Sequence, residues 1–414
     1  MMNTQVISCP RQLSSGQKTA RSLVFALLKN LEEGSLTVIE SFVGEGAKQQ
    51  TLFGNPSHTS LKAIIEITNP AFYSRVLSGG SIAAAEAYID GWWESPNLTL
   101  LTELMAVNMS TLDSIERRVS LLSKFAYRIG HWFNRNTVEN ATKNIEAHYD
   151  LSNDLYETFL DPRMLYSSAL YRNEEESLDQ AQENKMDRLC QQLNLTENDH
   201  VIEIGTGWGA MAIYMAQRYG CRVTTTTISE QQYQYARQKI EINGLQDRIT
   251  LLKEDYRNLK GEYDKLVSIE MIEAVGKEYL KSYIKKCQSL LKPKGLMSIQ
   301  AITIADQRYE HYSNNVDFIQ KYIFPGGFLP SITAITQATT QYSDLVLRDL
   351  LDIGEDYAKT LSDWKARFND SESKVRSLGF DDRFIRMWNY YFCYCEGGFR
   401  AKSISTVHMT FQRA

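Results

Sequence analysis

The stretch His200–Gly220, HVIEIGTGWGAMAIYMAQRYG, reads as a buried strand, a glycine turn and an amphipathic helix. The same alternation continues on its C-terminal side. CRVTTTTIS (221–229) is a strand and SEQQYQYARQKI (229–240) a helix; ITLLKED (249–255) and YDKLVSIE (263–270) are strands. EYLKSYIKKCQSLL (278–291) is a helix, and LMSIQAITI (296–304) returns as a strand. Strands alternating with helices predict an α/β fold with a doubly wound sheet. Beyond it lie a Pro/Gly-rich stretch (321–331), a strand near 345–353, helices to about 400 and an alternating last strand, ISTVHMTFQR.

On the N-terminal side, residues 19–33 have helical spacing, and 35–41 and 61–68 read as strands. A short helix, SIAAAEAYID, follows Gly79 and Gly80. Residues 1–112 therefore form a smaller α+β module. Between the two regions, Leu121, Leu122, Phe125, Ile129, Trp132 and Phe133 share one helical face flanked by Lys124, Arg128 and Arg135. This 113–144 segment is either an interdomain helix or a basic amphipathic helix that lies on an anionic membrane surface. The expected division is 1–112, 113–144 and 145–414.

Composition narrows the functions. Of 414 residues, 43% are hydrophobic and 23% charged, which excludes a disordered chain and a membrane bundle. A net charge of −5 argues against a nucleic-acid partner. Six cysteines without a CxxC pair suit a reduced, cytoplasmic protein, and the histidine spacings predict no metal site. The apolar run Leu23–Leu28 is too short for a signal core, and no run approaches a membrane span.

The turn Gly205-Thr-Gly207-Trp-Gly209 lets a ligand approach the backbone. Such turns serve dinucleotides and S-adenosylmethionine (SAM) alike. A dinucleotide site wants an acid at the end of the next strand; here that strand ends in Thr224–Thr227, and Ser229 with Gln232 forms a capping box. The residues lean towards SAM. Glu254-Asp255-Tyr256 ends the following strand, with a carboxylate and a ring suited to adenine. Ser268-Ile269-Glu270-Met271-Ile272-Glu273 then places two carboxylates at the edge where open α/β sheets bind ligands.

Eight blocks, in order, resemble the cyclopropane-fatty-acyl-phospholipid synthases and the related mycolic acid cyclopropane synthases. They are HYDLSNDLYETFLDPRMLYSSALY (148–171), VIEIGTGWG (201–209), TISEQQ (227–232), EDYRNL (254–259), VSIEMIEAVG (267–276), KYIFPGGFLPS (321–331), DYAKTLSDW (356–364) and YYFCYCEGGFR (390–400). Residues 52–108 resemble the N-terminal module of full-length members. The resemblance implies a class I SAM-dependent methyltransferase fold of Rossmann-like type. It implies transfer of a methylene unit to the double bond of an unsaturated phospholipid acyl chain, peripheral contact with the inner face of a membrane, and compatibility with a homodimer. Methyl-branched or methylene products, and a soluble small-molecule substrate, are the alternatives.

By the same resemblance, SAM is held by Tyr166, Ser167, Gly205, Gly207, Thr227, Gln232, Asp255 and Tyr256, with Ile269 beside it. Tyr149 and Tyr166 could face the sulfonium. The family's catalytic base is a bound bicarbonate held by Cys, Glu, His and Tyr. Glu273 and Tyr357 match two of these; Ser168 stands at the Cys position and Gln300 at the His position. Ala274 follows Glu273 where His is common.

Overall fold

The computed structural model describes residues 13–42, 48–57, 60–109 and 151–414. The amphipathic stretch with Lys124, Arg128 and Arg135, and Tyr149, lie outside the described residues. The chain divides into two compact units, one comprising 1–127 with 380–401 and the other 128–379 with 402–414.

The first unit carries a four-stranded sheet in the order β2-β1-β3-β4, with β1 Ser35–Glu40, β2 Gln49–Gly54, β3 Lys62–Ile67 and β4 Trp93–Glu94. β1 and β3 match the expected strands. β2 was not expected: its residues QQTLFG are mostly exposed and lack apolar alternation. The helix expected over 19–33 runs Ser15–Leu28, and the one at SIAAAEAYID extends back to Phe72, broken at Gly80, where φ is +60°. Buried Glu40 accepts from Arg21 Nε (2.7 Å), Arg21 Nη2 (2.6 Å) and the Tyr73 hydroxyl (2.6 Å). A buried charge is tolerated when paired in this way.

Helix Asp382–Arg400 belongs to this first unit, although the sequence reading put it in the 145–414 region. It packs on helix Leu98–Val107, where Thr99 Oγ1 donates to Glu396 (2.8 Å) and Thr102 Oγ1 to the Cys393 carbonyl (2.6 Å). Gly397 is needed there: a Cβ would stand 2.6 Å from the Glu103 backbone nitrogen. Partners so distant in sequence leave no local trace.

The second unit is the expected doubly wound sheet, in the order β10-β11-β9-β8-β5-β6-β7. β5 is His200–Ile204, β6 Arg222–Thr227, β7 Ile249–Lys253, β8 Tyr263–Ile269 and β9 Leu291–Ile304; these five are parallel. β10 Leu345–Asp352 and β11 Ile404–Arg413 join antiparallel beyond β9. Successive side chains of one strand face opposite layers. Val201 and Val267 pack with helices Leu178–Gln192 and Ala210–Tyr219, while Ile202 and Leu266 pack with helices Leu280–Leu290 and Ile332–Tyr342. Both faces are therefore covered, which explains why the strands read as continuous apolar runs. Each fully buried aliphatic side chain contributes roughly 1.5–3 kcal/mol. After β5 the chain winds outward to β6 and β7, then returns to β8 on the other side of β5. That reversal opens a crevice above the C-terminal ends of β5 and β8.

Candidate active site

The crevice begins at the glycine turn after β5. Gly205, Gly207 and Gly209 have φ of +93°, +52° and +96°. A Cβ on Gly207 would meet nothing within 4 Å, so its backbone faces open space, as a cradle for a ligand requires. Trp208 is buried beneath the turn and donates from Nε1 to Asn153 Oδ1 (2.8 Å). On the opposite side, a Cβ at Gly205 would stand 3.2 Å from Met271 Cγ. The turn and the end of β8 thus touch.

The expected SAM residues after Gly207 occupy adjacent strand ends or the helix turn that follows, and Tyr166 and Ser167 come from the segment before helix Leu178–Gln192. Thr227 closes β6, and its hydroxyl donates to Gln232 Oε1 (2.8 Å); Gln232 is the third residue of the helix Ser229 caps. Asp255 follows β7. Its oxygens accept from the Arg257 backbone (2.9 Å) and from the Arg257 guanidinium (2.8 and 2.6 Å), which holds its carboxyl below the usual range despite burial. A carboxylate has lone pairs left for a further donor. Tyr256 is partly buried and packs edge-on against Tyr283, 5.6 Å between centroids. Ile269 is the last residue of β8. Ser167 is buried, accepts from Lys185 Nζ (2.7 Å), and its carbonyl accepts from Gln182 (2.9 Å). The Tyr166 ring stacks on Phe324 (6.1 Å) and lies against Trp364 (5.3 Å) and Tyr156 (5.3 Å). Phe324 comes from the Pro/Gly-rich stretch, which is pinned over the site where Phe328 N donates to the Glu273 carbonyl (2.8 Å).

The four residues expected to hold one anion do not all meet at a single point. Three of them gather at Glu270, the residue just past β8. Glu270 Oε1 accepts from Ser168 N (2.9 Å) and Gln300 Nε2 (2.7 Å), and Oε2 from the Tyr357 hydroxyl (2.9 Å). Ser168 contributes its backbone; its hydroxyl donates to the Ala169 carbonyl (2.9 Å). Glu273 Oε1 instead accepts from Ile302 N, and its buried Oε2 has no partner among the described residues. The expectation was that all four residues surround one bound bicarbonate; the donors of Ser168, Gln300 and Tyr357 instead meet Glu270, and Glu273 stands apart from them. The reason is placement: Glu270 leaves the strand with φ +47°, which turns its carboxylate towards Gln300 of β9 and Tyr357 of helix Gly354–Asp370.

Electrostatics separates the two carboxylates. Burial raises both acids. Glu273 is pushed up to about 8, first by burial and then by the charge of Glu270. Glu270 is also raised by burial, against the opposing pull of Ser168 N, the Lys185 charge, Gln300 and Tyr357. Three donors and the Lys185 charge favour the ionised form of Glu270, and Glu273 has no comparable set. Fully buried Lys185 is brought down to about 8 by burial, with Glu270 and Asp161 resisting. His408 on β11, brought down to about 3 by burial, lies 2.9 Å from Gln300 Oε1. Glu203, which begins the glycine motif, is buried, accepts from Thr225 Oγ1 (2.6 Å) and is raised by burial to about 7.

Lys185 and His408 were not found from sequence, since neither belongs to a spaced motif. Glu270 was visible as one of two carboxylates at a strand edge; family correspondence favoured the other.

A family model described as mycolic acid cyclopropane synthetase matches residues 136–409. The chain is 36% identical over 350 residues to a tuberculostearic acid methyltransferase of Mycobacterium tuberculosis, covering 83% of this chain and 81% of that one. It is 36% identical over 357 residues to the cyclopropane-fatty-acyl-phospholipid synthase of Escherichia coli K12, covering 86% and 89%. Among solved structures, a mycolic acid cyclopropane synthase complexed with SAH and CTAB matches with a TM-score of 0.62 at 27% identity, over 66% of this chain and 98% of that one.

Proposed function

The chain belongs to the mycolic acid cyclopropane synthetase family, and on that premise we propose that it closes a cyclopropane ring on the cis double bond of an unsaturated phospholipid acyl chain, using the methyl carbon of SAM. It is a SAM-dependent methyltransferase. The observation that carries the reading is the Glu270 carboxyl group, held by three donors at the crevice beside the glycine turn.

SAM is the methyl donor. Gly205 and Gly207 admit it, and Tyr166, Ser167, Thr227, Gln232, Asp255, Tyr256 and Ile269 line its place along the ends of β5 to β8. An alkene is a weak nucleophile, and its attack on a sulfonium methyl leaves positive charge on the acyl chain. The aromatic faces of Tyr166, Phe324 and Trp364 tolerate such charge while excluding water. Ring closure then needs a base at the transferred carbon. The residues expected to hold bicarbonate do not fit a separate anion here, because Ser168 N, Gln300 and Tyr357 already donate to Glu270.

The substrate is a membrane lipid, and among the described residues no helix is long and apolar enough to cross a membrane. The reading therefore includes peripheral binding at the cytoplasmic face, aided by Lys124, Arg128 and Arg135, and a homodimer is compatible with it. Each basic residue near an anionic surface is worth about 1 kcal/mol. A methyl-branched product is the second reading, favoured by the 36% identity to the tuberculostearic acid methyltransferase.

The test is incubation of the purified protein with methyl-labelled SAM and vesicles of cis-unsaturated phospholipid. Released fatty acids are separated by gas chromatography with mass spectrometry. The expected product is a labelled ring acid heavier than its precursor by one CH₂. A labelled branched acid would favour the second reading. Label transferred only to soluble acceptors would overturn both.

A further inference from the structure

The donors that sequence correspondence assigns to a bicarbonate ion meet a side chain of this protein. Ser168 N, Gln300 Nε2 and the Tyr357 hydroxyl reach the two oxygens of Glu270 at 2.9, 2.7 and 2.9 Å. Bicarbonate and carboxylate share a planar O–C–O group and a single negative charge. Donors placed for one serve the other, and both cannot occupy them together. We propose that Glu270 is the catalytic base, standing where the family uses bound bicarbonate, so that this enzyme works without that ion. The inference rests on the cyclopropanation reading above.

Two further observations support it. Glu270 has φ +47°, a left-handed conformation that a side-chain-bearing residue rarely adopts and that persists only where the surroundings hold it. That turn is what delivers the carboxylate to the donors. Glu273 is otherwise engaged: its one hydrogen-bonded oxygen accepts from Ile302 N, and its other is buried without a partner among the described residues. Of two neighbouring carboxylates one retains its proton more readily, and the donor count assigns that proton to Glu273.

The step balances without an added reagent. The alkene π pair forms a bond to the methyl carbon, and the pair of the breaking S–C bond stays on sulfur. Glu270 takes a proton from the transferred carbon. The electron pair of that C–H bond closes the third side of the ring. The proton later leaves Glu270 to solvent, and no oxidant or reductant is consumed.

The test measures binding of ¹³C-labelled bicarbonate by NMR, without lipid, to the wild-type protein, Glu270→Gly and Glu270→Gln. Glycine suits φ +47° and empties the carboxylate position; glutamine preserves the shape and removes the charge. The expected result is no saturable binding to wild type and saturable binding to Glu270→Gly. Ring formation by wild type should be unchanged in carbon dioxide-free buffer. Glu270→Gly should lose about 10²–10³-fold in rate and recover part of it with added bicarbonate. Saturable binding to wild type, with ring formation that falls on depletion, would overturn the assignment; so would wild-type turnover in a folded Glu270→Gln protein. The binding readout decides the assignment independently of turnover, whereas absence of any lipid alkylation would sink the functional reading instead.

Discussion

Gln300 and His408 are direct partners across β9 and β11, and His408 Nε2 lies 2.9 Å from Gln300 Oε1. An amide oxygen can only accept, so the imidazole carries its hydrogen on Nε2 and donates it. Burial keeps that imidazole neutral. The Gln300 amide is thereby fixed with its NH₂ towards the Ser168 carbonyl (3.2 Å) and Glu270 Oε1 (2.7 Å). A single neutral histidine thus sets which end of Gln300 meets the carboxylate.

His408 is accordingly a positioning residue. His408→Leu is expected to free the amide and lower kcat about tenfold, the cost of one lost hydrogen bond, with KM for SAM unchanged. His408→Gln, which can still donate, should recover part of the loss. A parallel rise in KM, or no recovery, would reduce His408 to packing.

The Lys185 charge pulls the pKa of Glu270 down, against the rise that burial causes. Lys185→Met removes that charge, so Glu270 should hold its proton to higher pH. The acidic limb of the pH–rate profile should move to higher pH. A limb that stays in place would separate Lys185 from the reacting carboxylate.

For Glu273 the sign is worked out from its folded-state value of about 8 against an ordinary 4.5. The folded protein binds the proton more tightly than the unfolded chain. Wild-type stability should therefore fall as pH rises from about 4.5 to 8, and level off above. Glu273→Gln has no such proton. The melting temperature of the variant minus that of wild type should grow across this window and then become constant. A gap independent of pH would show that Glu273 is ionised throughout. Turnover of this variant should stay within about tenfold of wild type, since none of Ser168, Gln300 and Tyr357 donates to Glu273.

Gly207 has φ +52° and open space above it. Gly207→Val puts a β-branched side chain into that conformation and into the space the ligand needs. Titration calorimetry of a folded variant should give SAM binding at least about tenfold weaker, because the added side chain stands where the ligand must approach the backbone. Unchanged affinity would remove the turn from the site.

The doubly wound sheet and the glycine turn were legible because they are written locally, in apolar runs and in glycines at a strand end. Thr227 and Gln232 were legible for the same reason, as a strand end beside a capping box. The choice between Glu270 and Glu273 was not. Both follow the same strand three residues apart, and only the left-handed turn at Glu270 directs its oxygens to Ser168, Gln300 and Tyr357. Lys185 and His408 are isolated in sequence and acquire roles only through the helix and strand that carry them inward. Helix Asp382–Arg400 continues the catalytic region in sequence yet joins the first unit, because its partners Thr99 and Thr102 lie almost 300 residues away.

The most direct measurement of the central claim is product analysis in carbon dioxide-free buffer, with vesicles of cis-unsaturated phospholipid, comparing wild type and Glu270→Gln. Wild type is predicted to form the cyclopropane acid at its full rate without bicarbonate, and the variant to lose about 10²–10³-fold while still binding SAM. Loss of the ring product by wild type on bicarbonate removal, or ring formation by Glu270→Gln at the wild-type rate, would contradict it.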